Sequence, residues 1–235
     1  VVVAVLAFFS YYTYLSYTKY ESIQNSTQST YFIEKTDSIL DKIAQERLYS
    51  AVYMGTEGKE GFNKVKEARV AVDGAIIELN TYMNANKEFR TYSKRLNAVS
   101  ENLKHARTKV DTLSSDYKNI FFEVYHSEIF KSLAGVMKIV SAQDPSADMK
   151  SYLSTYTSFT ELKENTALEN TGIFFVLSGS RKMTNEDLVF WDALLVNDTL
   201  PEFDALQNKA VVSKLNTLLT PEAFSKIGAK ERVEI

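Results

Sequence analysis

Apolar residues return every three to four positions along most of this chain, and the segments that carry them are long. The first pattern runs from Tyr20 through Ile33, Ile39 and Ile43 to Met54, with Leu40, Ile43, Ala44, Arg47, Ala51 and Met54 on one helical stripe. GTEGKEG over 55–61 is a helix connection; no Ser or Thr follows Lys59 and no strand precedes it, so it is a poor phosphate loop. A second helix aligns Phe62, Val65, Arg69, Val72, Ile76 and Leu79. A third aligns Leu96, Val99, Leu103, Ala106, Val110 and Leu113, with Arg107 on its flank. Asn119 to Val140 reads as one more apolar helix, of the kind that others surround. Asp144-Pro145 marks a turn or helix start, and a long helix follows from about Asp148 to Leu177. Thr184, with Asp187 three residues on, starts a helix carrying Leu188, Trp191 and Leu194. Thr220-Pro221-Glu222 opens a last one, Pro221 to Ile235, bearing Phe224, Ile227, Arg232 and Ile235.

The first long helix recurs. Lys163, Thr166, Ala167, Glu169, Asn170, Phe174 and Leu177 fall on Leu40, Ile43, Ala44, Glu46, Arg47, Ala51 and Met54 at a constant offset of 123, without a gap. Glycine closes each copy, at Gly55 and Gly179, and an amphipathic helix follows each.

Composition narrows the class. With 235 residues, 45% of them hydrophobic, the chain can bury a real core, and only 3 prolines and 8 glycines interrupt it, which favours few long helices over many strands. A net charge of −3, with basic and acidic residues interleaved, offers no field for nucleic acid. The absence of cysteine removes disulfides, thiolate chemistry and thiolate metal sites. VVVAVLAFF, followed by SYYTYLSYTKY with its five tyrosines, reads as the outer end of a membrane helix meeting a headgroup belt, the remainder of the span lying before the chain. A buried amphipathic segment or a signal-peptide core is the alternative. We therefore expect residues 1–19 to be membrane-proximal and 20–235 to form a helical ectodomain.

Enzyme chemistry lacks parts. His105 and His126 have no second histidine or paired carboxylate at ligand spacing, so no metal or other cofactor is expected and both read as surface or core-edge residues. Arg47 is the more informative residue, because it lies where its neighbours bury carbon. A guanidinium keeps its charge when buried and offers a planar fork to planar oxyanions such as nitrate. A buried cation needs a counter-charge, which for Arg47 is either an anionic ligand or a carboxylate from another helix. Glu46 is not that partner, since adjacent helical residues point about 100° apart. Arg69 and Arg107 each have an aspartate four residues on, Asp73 and Asp111, and read as ion pairs within their own helices.

Taken together, these residues resemble the nitrate- and nitrite-sensing (NIT) domain family of bacterial transmembrane receptors. The resemblance covers about Asp37 to Ile235. QERLYSAVYMGTEG is similar to the family's first Glu-Arg signature, and Arg69–Asp73 in KEARVAVDGAI to its R-x-x-x-D segment. LKHARTKVD and FFEVYHSEI, with Tyr125, resemble a later element; ELKENTALENTGIFFVLSG resembles the second Glu-Arg signature and EAFSKIGAKERV the closing Arg-Ile. The resemblance implies an all-α fold, an elongated stacked pair of four-helix bundles sharing long helices. It also implies nitrate-binding arginines, matched here by Arg47 and Arg232, while Asn170 stands at the third position and can donate but brings no charge. Leu48 adds bulk where a glycine is common. A weaker nitrate site or a different small ligand is thus expected.

The function expected on this basis is an extracytoplasmic sensor domain of an inner-membrane receptor, a chemoreceptor or sensor kinase. It would bind a small anion on the periplasmic or extracellular side, attach to the membrane through its N-terminal helix, and work as a homodimer. The alternative is a helical ectodomain used for dimerisation or for binding a periplasmic protein, with no small-anion ligand.

Overall fold

A computed structural model describes residues 2–113, 116–179, 183–189, 209 and 212–214, with side chains from Phe8 onward. Every regular element among these residues is helical. Helix α1 (Val2–Gly55) runs 54 residues without a break, about 80 Å at ~1.5 Å per residue. Its lower part is bare: Phe8, Phe9, Tyr11, Tyr12, Tyr14, Tyr17 and Tyr20 are 62–65% exposed. From Ser26 upward it becomes the central strut of a bundle, with Phe32, Ile33, Ile39, Leu40, Ile43 and Ala51 buried. No helix among the described residues is long and apolar enough to cross a membrane.

The turn after Gly55 reverses the chain through left-handed backbone at Gly58 (φ 81°) and Gly61 (φ 89°), which glycine adopts without steric cost. Helix α2 (Phe62–Ala85) then descends antiparallel to α1, so that Phe62 meets Tyr53 at the top and the Tyr82 hydroxyl donates to the Gln28 carbonyl below. A 3₁₀ segment (Lys87–Tyr92) stacks Phe89 on Phe32 and feeds α3 (Ser93–Thr112), which rises again. The descending fourth strut differs from the single α-helix expected over 119–140. It starts as a π-helix (Asn119–Phe130) and continues as α4 (Lys131–Gln143). The wider turn sets more consecutive residues on the inward side, and Ile120, Phe121, Phe122, Val124 and Tyr125 are all buried.

At the foot of the bundle Asp144 ties the chain back to α1, its Oδ1 accepting from the Ser26 hydroxyl and from the Ser146 amide. Pro145 lies in the turn and Ser146 is the cap: its side chain accepts from the Met149 amide and α5 (Ala147–Ser178) starts behind it. Helix α5 rises parallel to α1. The duplication read in the sequence is also the contact register, since the Thr160 hydroxyl donates to Asp37, its counterpart 123 positions earlier, at 2.9 Å. At the upper end, a methyl on Gly55 would stand 2.6 Å from the Phe175 carbonyl oxygen and clash with the Ser178 side chain, so α1 and α5 meet there only because Gly55 lacks a Cβ.

Thr184 and Asp187 form the reciprocal cap expected, the Asp187 carboxylate accepting from the Thr184 amide and the Thr184 hydroxyl from the Asp187 amide. That helix is described as far as residue 189. Trp191, Leu194 and Arg232, and with them the closing helix and the second four-helix bundle that the sequence leads us to expect, lie outside the described residues. The described part is an all-α bundle of α1, α2, α3 and the π/α4 strut, with α5 laid along α1 as the start of the second copy.

Candidate functional site

Glu46 and Arg47 are neighbours on α1 and serve two different charge clusters, as the angle between adjacent helical side chains dictates. Both are fully buried. Glu46 points toward α2, α3 and the π-helix. Its Oε1 accepts from Arg107 Nε at 2.9 Å and from the Tyr125 hydroxyl at 2.8 Å, and its Oε2 accepts from Arg107 Nη2 at 2.8 Å. Burial and the adjacent Glu46 charge hold the Tyr125 hydroxyl well above its ordinary pKa, so it remains a donor. Burial alone would lower Arg107, but Glu46 and Asp73 more than reverse this.

Here the expected intrahelical pairs are corrected. Arg107 takes Asp73 of α2 at 2.7 Å, and Arg69 takes Asp111 of α3 at 2.8 Å. The pairs are exchanged between two antiparallel helices. A cation placed before its anion at four-residue spacing is the weaker intrahelical arrangement, and the crossed pairing also lets each arginine approach Glu46, Arg69 at 3.9 Å.

Arg47 points the other way, into the seam with α5. Its Nη1 and Nη2 donate to Glu164 Oε1 and Oε2 at 2.5 and 3.0 Å, and its Nε donates to the Thr171 hydroxyl at 3.3 Å. Burial alone would raise the Glu164 carboxyl. The Arg47 charge and the bonds from His126 and Arg47 outweigh it and hold the group below the ordinary carboxylate value. His126, on the π-helix, sets Nδ1 3.0 Å from Glu164 Oε1 and lays its ring along Phe130. Its side chain is 20% exposed against 4% for Glu164, so the imidazole is the edge of this cluster that water reaches. Lower on the same seam, Asp37 collects Thr160, Tyr156 and Lys163, and Lys163 also reaches Asp41 at 2.8 Å.

Of the residues singled out in the sequence, Arg47 is where its stripe placed it, and the counter-charge it meets is a carboxylate of its own chain. Asn170 is exposed. The residue that α5 turns to the guanidinium is its neighbour Thr171. Arg232 lies outside the described residues. Sequence reasoning missed Glu164, Thr171 and the role of His126. A signal for Glu164 existed, since Leu153, Thr157, Thr160, Glu164, Leu168, Glu169, Thr171 and Phe175 are the buried residues of α5, and Glu164 and Glu169 are the two charges among them.

Fold and seam define an all-helical bundle whose two long struts, α1 and α5, bury an arginine–carboxylate pair at their shared face. The family of nitrate and nitrite sensing domains matches residues 38–233, from the upper half of α1 to within two residues of the end, and the chain belongs to it. That family is one of sensor domains of signalling proteins and not of enzymes. No curated protein and no solved structure matches the chain.

Proposed function

We propose that this chain is the extracytoplasmic sensor domain of a transmembrane receptor, a chemoreceptor or sensor kinase, and that it binds nitrate, nitrite or another small planar anion between α1 and α5. The observation that carries the reading is the fully buried Arg47 fork at the seam between the two repeats. Arg47 is the primary anion-binding group. Arg232 supplies a second cation from the closing helix, and Asn170 an orienting amide at the rim. The signal leaves through α1, which is unbroken from the seam to its apolar, tyrosine-rich start, the end we assign to the membrane. Anion binding shifts α1 against α5, and an equilibrium between two packings of that seam is what the ligand biases. Two copies working side by side as a homodimer would present paired α1 helices to the bilayer.

Calorimetry with nitrate, nitrite, formate and chloride on the wild type and on Arg47→Met tests this. Binding of nitrate or nitrite by the wild type, weakened at least ~30-fold in the variant by loss of a buried charged partner, is the expected result. A second reading is favoured by one observation: Arg47 already has a carboxylate partner in Glu164. Under it the bundle is an interaction module with a structural ion pair, and no small anion binds the wild type.

A further inference from the structure

Glu164 is itself a planar oxyanion on the Arg47 fork. It is gripped through two oxygens, as a guanidinium would grip nitrate or nitrite. The side chains of Arg47 and Glu164 are 1% and 4% exposed, so little water screens them. A second anion cannot join this pair without setting two negative charges side by side in a poorly screened seam.

We propose that Glu164 is a built-in competitor for the anion site, and that each anion that binds displaces it and brings one proton to the Glu164–His126 pair. The inference rests on the reading of Arg47 as the anion-binding group. The charges balance. Before binding the cluster holds the Arg47 guanidinium, the Glu164 carboxylate and the His126 imidazole. Afterwards it holds in addition the bound anion and one proton on the Glu164–His126 pair, and the two added charges cancel.

The geometry supplies the route. His126 Nδ1 already touches Glu164 Oε1, and the imidazole reaches solvent on its other side. Once protonated it can hold the carboxylate turned away from Arg47. Two neighbouring charges on α5, Lys163 and Glu161, are engaged with other helices. Lys163 pairs with Asp37 and Asp41 of α1, and Lys138 of α4 pairs with Glu161 at 2.6 Å. Arg47 and His126 are the side chains that act on Glu164. The competitor also sets specificity, because an incoming anion must replace a two-oxygen grip, which nitrate or nitrite can do and spherical chloride cannot.

Nitrate calorimetry between about pH 6 and 8, in buffers of different ionisation enthalpy, reads the proton count directly. For the wild type we expect close to one proton taken up per nitrate, with affinity falling by up to about tenfold per pH unit on the alkaline side. In Glu164→Gln the proton uptake falls toward zero and affinity at the alkaline end rises about tenfold or more; in His126→Gln affinity near neutrality drops. Nitrate binding to the wild type with no proton uptake and a flat pH profile overturns the proposal and leaves the anion site standing. Binding by Glu164→Gln but not by the wild type supports it. Absence of binding in both brings down the anion site and this proposal together. Should Glu164→Gln fail to fold, the wild-type proton count decides.

Discussion

Replacing Glu46 by alanine removes the anion that joins α1 to α3 and to the π-helix. The side chain is fully buried and accepts three hydrogen bonds, two from Arg107 and one from Tyr125. After its loss the Tyr125 hydroxyl, also fully buried, has no acceptor, a penalty of about 1–3 kcal/mol. Arg107 loses its inner partner but keeps Asp73 and is 15% exposed, so it partly rehydrates. The sum falls near the low end of the ~3–5 kcal/mol measured for breaking a buried ion pair. At ~2–4 °C per kcal/mol for a domain of this size, the melting temperature should fall by about 6–16 °C. Asp73→Ala removes the outer anion of the same arginine, at a carboxylate that is 54% exposed, and should cost no more than about 1 kcal/mol. Thermal and urea unfolding followed by circular dichroism compare the two. Adding Tyr125→Phe to Glu46→Ala should recover part of the loss by removing the orphaned hydroxyl. Equal costs for Glu46→Ala and Asp73→Ala would refute the reasoning, because they would mean that Glu46 anchors nothing the surface pair does not.

Gly55→Ala places a methyl against the Phe175 carbonyl and should destabilise by about 1–3 kcal/mol through overpacking. Gly74→Ala, in the interior of α2 with open space around it, should stabilise by about 0.5–1 kcal/mol in the same melting assay. The Glu164 carboxyl sits below its ordinary value of 4.5 in the folded chain, so its contribution is complete above that pH and drains away as acid protonates it. Urea midpoints taken down to about pH 3 should fall more steeply for the wild type than for a double variant Arg47→Met, Glu164→Leu. At the alkaline end, burial pushes Tyr82 up to about 12 and raises Tyr117, Tyr125 and Tyr156 as well. An unfolded tyrosine ionises near 10, so stability should decline above about pH 10, with tyrosinate absorbance appearing in step with unfolding.

Periodicity carried the sequence reading a long way because it is a local property. The stripe through Leu40, Ile43 and Arg47 placed the arginine inside α1 before any partner was known, and the 123-residue repeat anticipated the register in which α1 and α5 lie. What the sequence left open was the identity of long-range partners. Arg47 and Glu164 stand 117 positions apart, and although the apolar stripe of α5 narrows the candidates to Glu164 and Glu169, nothing local says which of them meets Arg47. Arg69 and Arg107 were misassigned for a related reason, since a four-residue spacing that suits an intrahelical pair also suits a crossed pair between antiparallel helices. The π-helical opening of the fourth strut was hidden too. Its apolar run is legible, but the choice between turns of 3.6 and of wider pitch is made by the neighbours that Phe121, Phe122 and Tyr125 pack against.

The most direct test of the account is the structure of the chain with nitrate bound. The account predicts nitrate on the Arg47 fork, in place of the Glu164 carboxylate, with Glu164 turned onto His126. Nitrate bound elsewhere, with the Arg47–Glu164 pair intact, would contradict it.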